Sequence, residues 1–214
     1  MTEIRTLRTA TLGRYLVQPG SSPSPSAPML VGFHGYGQNA ETMLEALLRI
    51  PGTAQWTVIS VQALHRFYNT KTHEIAGSWM TSQDREQAIE DNLAYVGRVL
   101  AELRSEGRTG KRVFAGFSQG AAMAWRAAAR FPCEGLLVLG GDLPQDVIEA
   151  PALPPILIGR GDQDTYYTAV QLARDLETLE TRGHAAETLT FDGGHEWGVP
   201  FLEAAGRFLG GLEA

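Results

Sequence analysis

The order of segments predicts an α/β fold in a single domain, residues 1–214: a mostly parallel central sheet with helices on both faces. Three observations predict it. Short, nearly continuous apolar runs recur along the chain, segments with a helical apolar period separate them, and 214 residues suffice to bury one core of ordinary size. Runs that are apolar on both faces belong inside a parallel sheet, because a strand with one face in water alternates instead.

Residues 4–18, IRTLRTATLGRYLVQ, alternate loosely with β-branched and aromatic positions, which suggests a hairpin or a pair of strands. PGSSPSPSAP, residues 19–28, is too rich in Pro and Ser for a helix or a ladder and reads as a loop. The runs MLVGF (29–33), WTVISV (56–61), RVFAGF (112–117), GLLVLG (135–140), PILIG (155–159) and ETLTF (187–191) then read as central strands. Between them, residues 40–50, 84–106, 119–131, 167–182 and 197–212 carry apolar positions at i, i+3 and i+4. Leu93, Val96, Leu100 and Leu103 show the spacing. Residues 62–83 form a connection of a length that is often functional in compact domains.

Composition removes several classes of function. With 18 basic against 24 acidic side chains the net charge is −6, and no local basic cluster offsets it, so nucleic acid is excluded as a partner. The lone cysteine, Cys133, rules out an intrachain disulfide and any zinc site needing two thiolates. The amino-terminal residues lack the apolar core of a signal peptide and no long uncharged apolar run follows. A soluble, cytoplasmic chain without stable membrane insertion is therefore expected. Neither a cofactor nor a metal is expected: there is no H-E-x-x-H, and the side chains of neighbours His195 and Glu196 diverge. Composition sets no oligomeric state.

In open parallel sheets the chemistry gathers beyond the carboxyl ends of the strands. Four strand ends deliver candidates: His34-Gly35-Tyr36-Gly37, then Ser118, then Asp162 and Asp164, then Gly193-Gly194-His195. Gly116-Phe117-Ser118-Gln119-Gly120 matches G-x-S-x-G, in which small flanking residues let a strand turn sharply into a helix and lift the serine hydroxyl clear. A bare match is weak, but here a buried-strand run precedes it and a small, apolar helical run follows. A serine needs a base, and the base needs an orienting carboxylate. Of five histidines, His184 precedes a strand, His65 and His73 lie in the long connection, and His34 comes before the serine. His195 completes the order Ser…Asp…His. For the acid, Asp164 is favoured because two further residues give its loop the reach to come under the imidazole. Asp162 reads as a loop-structuring carboxylate and Asp192 as a turn residue, and Asp142 remains an alternative.

HGYGQN, GFSQG, GRGDQD and GGHEW, in that order at these strand ends, resemble the α/β-hydrolase superfamily. Within it they are similar to the small phospholipase/carboxylesterase group that includes the acyl-protein thioesterases. The resemblance implies the α/β-hydrolase fold and a serine hydrolase acting on carboxylic esters or thioesters through an acyl-enzyme. It implies Ser118 as nucleophile, His195 as general base and acid, Asp164 as orienting acid, and the backbone N–H groups of Tyr36 and Gln119 as the oxyanion hole. Two departures stand out: Thr165-Tyr166-Tyr167 follows Asp164 where the family often has Val-Pro, and Tyr36 replaces a small or aliphatic residue.

Phe67, Tyr68, Trp79 and Met80 in the long connection, with Trp197 and Tyr36, are expected to wall an apolar acyl or alcohol pocket; the bland reading makes them core at the sheet edge. No insertion is large enough for a separate lid domain, so small or medium esters are the expected substrates. Two other classes compete. Gly35-Tyr36-Gly37-Gln38-Asn39-Ala40 also fits G-x-G-x-x-A of a nicotinamide-dependent oxidoreductase, although WTVISVQ ends in glutamine where a ribose-binding acid is needed. A non-catalytic ligand receptor on the same fold would be expected to lack a triad member.

Overall fold

The computed structural model describes residues 1–21, 24–150 and 152–213. In chain order they form β1 (Tyr15–Gln18), β2 (Met29–Phe33), α1 (Ala40–Leu48), β3 (Thr57–Val61), β4 (His65–Tyr68), β5 (Ile75–Ser78) and α2 (Arg85–Ser105). There follow β6 (Arg112–Phe117), α3 (Gln119–Arg130), β7 (Gly135–Leu139), β8 (Ile156–Gly161), α4 (Ala169–Thr181), β9 (Ala186–Phe191) and α5 (Val199–Glu213). The main sheet runs β1-β3-β2-β6-β7-β8-β9, with β1 antiparallel to β3 and the other neighbours parallel. The α/β class and the mostly parallel sheet are as the sequence predicts.

Alternation along each central strand sends side chains to two cores. Val31, Phe33, Ile59, Phe114, Leu136 and Val138 meet α2 and α3, with α4 beyond them. Leu30, Val58, Val113, Leu137 and Leu157 meet α1 and α5. Each such fully buried side chain contributes about 1.5–3 kcal/mol, and together they fix the strand register, since a one-residue slip would exchange the two faces. That register aligns the carboxyl ends: Phe33 lies opposite Gly116, Phe117 opposite Leu139, and Gly161 opposite Phe191. The residues that follow therefore emerge at one edge.

Three expectations need correction. Residues 4–18 do not form a pair of strands. Only Tyr15–Gln18 finds a partner, in β3, and residues 1–14 run without regular structure, with Ile4, Leu7 and Leu12 exposed. This arm helps explain an exposed surface of 11334 Å², above the roughly 9,700 Å² expected of a compact chain of this mass. ETLTF is not a central strand: β9 is the sheet edge, and Glu187, Thr188 and Thr190 face water. The connection 62–83 is not irregular either, since β4 and β5 pair antiparallel as a hairpin, Phe67 opposite Ala76. Among the described residues, no helix is long and apolar enough to cross a membrane.

Candidate active site

At the end of β6 the chain turns into α3 through Ser118, whose φ of 55° and ψ of −121° lie outside the regions a β-carbon normally permits. The turn is pinned from two sides. The Ser118 N–H donates to the Leu139 carbonyl at 2.9 Å, and a β-carbon on Gly120 would come within 2.0 Å of the Phe33 carbonyl oxygen. Only glycine lets α3 start this close to β2, and that contact holds Ser118 in its strained conformation.

Asp164 and His195 meet after β8 and β9. His195 Nδ1 lies 2.7 Å from Asp164 Oδ2. A carboxylate only accepts, so Nδ1 carries the proton and Nε2 presents a lone pair. The other oxygen, Oδ1, accepts from the N–H groups of Tyr166 and Tyr167 at 2.8 and 3.0 Å. The Asp164 carboxylate is thus fully held, with a side-chain exposure of 1%. The rings of Phe117 and Tyr166 lie 4.8 and 4.9 Å from that of His195, centroid to centroid. Gly140, with φ of 64°, passes beneath: a β-carbon there would sit 2.9 Å from His195 Cε1. The other carboxylates considered from sequence are engaged elsewhere. Asp162 accepts from the Gly193 N–H, Asp192 from the Gln163 amide, and Asp142 lies 3.6 Å from Arg174.

The loop 162–167 is held by groups the sequence did not mark. Arg160, buried, donates from Nε to the Tyr167 carbonyl and from Nη2 to the Asp162 carbonyl. Tyr167, also buried, donates its hydroxyl to Asp175. These contacts anchor the segment in which Thr165-Tyr166-Tyr167 stands where a Val-Pro is expected.

The turn after β2 is tied as closely. His34 is completely buried; its Nδ1 lies 2.8 Å from the Gly35 carbonyl, and Nε2 lies 3.1 Å from both the Ala63 N–H and the Gln62 amide. A carbonyl cannot donate, so Nδ1 holds the proton and Nε2 accepts. Burial pushes the imidazole pKa down to about 4, which keeps the ring neutral. The β4–β5 hairpin clips the same turn from outside: Gly37 donates to the Gly77 carbonyl, and Gly77 to that of Gln38. Gln62 occupies the position where a dinucleotide fold needs a carboxylate, and its amide oxygen accepts from the Ala40 N–H that opens α1.

Ser118, Gln119, Met80 and Tyr166 share a cleft of about 510 Å³ with Thr81, Ser82, Arg85, Ala122, Gly140, Gly141 and Asp142. Of the aromatic residues expected to wall it, Trp79 is fully buried in the core, where its indole donates to the His34 carbonyl. Trp197 packs on Phe117 and Phe201. Phe67 stacks near Tyr36, their centroids 5.6 Å apart, on the exposed hairpin beside Tyr68. Met80 alone of that set lines the cleft. The reason is local: the Gln119 side chain accepts from the Trp79 N–H and donates to the Met80 carbonyl, which turns Met80 outward and Trp79 in. His65 and His73 are exposed on the hairpin. Cys133 lies outside this cluster, and burial pushes its thiol up to about 12.

A parallel sheet with a strained serine at one strand end and a carboxylate–histidine pair at two others is the plan of the α/β-hydrolase fold, and solved structures agree. An esterase, PE8, superposes with a TM-score of 0.75 at 21% identity, covering 94% of this chain and 100% of its own. Acyl-protein thioesterase 2 of Zea mays gives 0.73 at 18%, covering 95% and 100%. The carboxylesterase of Bacillus cereus gives 0.72 at 17%, covering 94% and 95%. No curated protein sequence matches the chain. The chain belongs to the phospholipase/carboxylesterase family, whose model matches residues 17–211. It is an enzyme of the carboxylic ester hydrolase class.

Proposed function

We propose that this enzyme hydrolyses carboxylic esters or thioesters of small or medium acyl groups through an acyl-enzyme on Ser118. The observation that carries the reading is the 2.7 Å contact between His195 Nδ1 and Asp164 Oδ2, set at the edge where Ser118 leaves β6. His195 Nε2 takes the hydroxyl proton as Ser118 Oγ attacks the carbonyl carbon, and Asp164 steadies the imidazolium that forms. The intermediate's oxygen receives the N–H groups of Tyr36 and Gln119. Gln119 opens α3, where N–H groups have no partner within the helix. Each such donor lowers the barrier by about 3 kcal/mol. His195 returns the proton to the leaving alcohol or thiol. Water then attacks the acyl-enzyme by the same route, releasing the acid and restoring Ser118.

His34 has a part in this scheme. In a trans peptide the C=O and N–H point opposite ways, so holding the Gly35 carbonyl through Nδ1–H aims the Tyr36 N–H away from His34. His34 is therefore a positioning residue for one oxyanion donor. The test of the mechanism is Ser118→Ala: hydrolysis of p-nitrophenyl butyrate and labelling by a fluorophosphonate should both disappear while the circular dichroism spectrum is kept. Turnover retained by that variant would remove Ser118 from the reaction. Absence of labelling in the wild type would favour a receptor on the same fold.

A further inference from the structure

The cleft beside Ser118 is lined by polar and apolar surface in nearly equal parts. Met80, Ala122 and the Tyr166 ring supply the apolar part, and the Met80 sulfur faces the Arg126 guanidinium at 3.8 Å. About 510 Å³ of such mixed surface suits a small molecule that carries a polar group beside its ester.

The charges in and around that space do not balance. Asp142, in the lining, has Arg174 at 3.6 Å. Asp146 is gripped by Arg126 through two bonds of 2.7 and 2.8 Å, which hold its carboxyl below the usual range, with a smaller contribution from the charge of Arg85. Arg85 also lines the cleft, and among the described residues no carboxylate pairs with it. Asp142 and Asp146 are thus engaged by Arg174 and Arg126, and neither these nor the flanking Asp84 and Glu86 form an ion pair with Arg85, whose guanidinium, a fork of donors suited to carboxylate or phosphate, lines the same cleft as Ser118.

We propose that the preferred substrates are small esters bearing an anionic oxygen group, a carboxylate or a phosphate, that docks on Arg85 while Ser118 attacks the ester carbonyl. This rests on the hydrolytic reading of Ser118, and it separates specificity from chemistry: Arg85 selects, and the serine and histidine cleave.

The test compares kcat/KM on two matched pairs, so that the charge sits first on the acyl and then on the alcohol side. Monomethyl adipate is set beside methyl hexanoate, and 4-acetoxybenzoate beside 4-methylphenyl acetate. In at least one pair the wild type should favour the anion, and Arg85→Gln should lower that preference about tenfold, equivalent to 1.4 kcal/mol. Arg85→Lys should keep part of it, Arg85→Glu should reverse it, and salt near 1 M should weaken it in the wild type. No preference in either pair, or one that Arg85→Gln leaves intact, overturns the inference while the hydrolytic reading stands. Turnover of none of the four esters overturns the hydrolytic reading and this inference with it.

Discussion

His34 and His195 are the same side chain at two strand ends, placed in opposite surroundings. Both put Nδ1 on an oxygen acceptor, the Gly35 carbonyl for His34 and the Asp164 carboxylate for His195. They differ at Nε2 and in burial. His34 spends Nε2 on Ala63 and Gln62, lies wholly buried, and is held neutral by a pKa near 4. His195 keeps 18% of its side chain exposed and holds a carboxylate at Nδ1. A general base needs a free nitrogen and a partner for the charge it acquires; a structural histidine needs neither. These surroundings support the base role proposed for His195 and a structural role for His34.

The largest test of that division is His195→Ala, which should lower kcat about 10⁴-fold or more with little change in melting temperature, since triad members act as a unit. Asp164→Asn removes the acceptor that fixes the tautomer and should cost about 10³ to 10⁴-fold. Asp162→Asn loosens only the Gly193 contact and should stay within about tenfold of the wild type. A larger loss for Asp162→Asn would mean that His195 is oriented from the neighbouring carboxylate.

Chain order and residue type already separate these histidines in the sequence: His195 follows the serine and the acid, and His34 precedes both. All six runs find strands within a residue or two; for the five ahead of ETLTF, burial on both faces leaves a pattern that needs no partner to be read. The signal fails where a partner decides the outcome. Residues 4–14 alternate as a strand would, yet form no strand; Glu187 and Thr188 sit in an apolar-looking run that ends the sheet. It fails again for the site's supports. Nothing local says that Gln119 would turn Trp79 inward, because that contact joins residues 40 apart in sequence. The Asp164 loop is tied by nearer contacts, of Arg160 and of Asp164 with Tyr167, but they form only once the loop has its folded shape. An arginine at the end of an apolar run is the one available hint: Arg160 is too polar to be buried there without a task.

A smaller effect is expected at the other histidine, and it sharpens what "positioning" means. His34→Ala frees the Gly35–Tyr36 peptide to rotate, so one oxyanion donor is lost from a fraction of molecules; kcat should fall about 10²-fold with KM little changed. Asn at this position keeps an N–H close to where Nδ1 stood, so His34→Asn should recover most of kcat. The split between the two variants is the decisive reading. Equal losses would mean that the imidazole fills space and that the turn is aimed by the β4–β5 hairpin alone.

The smallest effect is in stability rather than rate, and it runs with pH. His34 titrates near 6.5 in the unfolded chain and near 4 when folded. Between those values the unfolded state binds the extra proton, so acid favours unfolding. Its contribution is fully present above about pH 6.5 and is lost as pH falls through the folded value, about 3 kcal/mol in all. Carboxylates titrate in the same window, and so the wild-type curve alone would mix them. The useful quantity is the difference in unfolding free energy between wild type and His34→Asn, which should shrink by that amount from neutral pH to about pH 4. Identical slopes for wild type and His34→Asn would mean that His34 charges as freely in the fold as outside it, and the contrast between the two histidines would then rest on geometry alone.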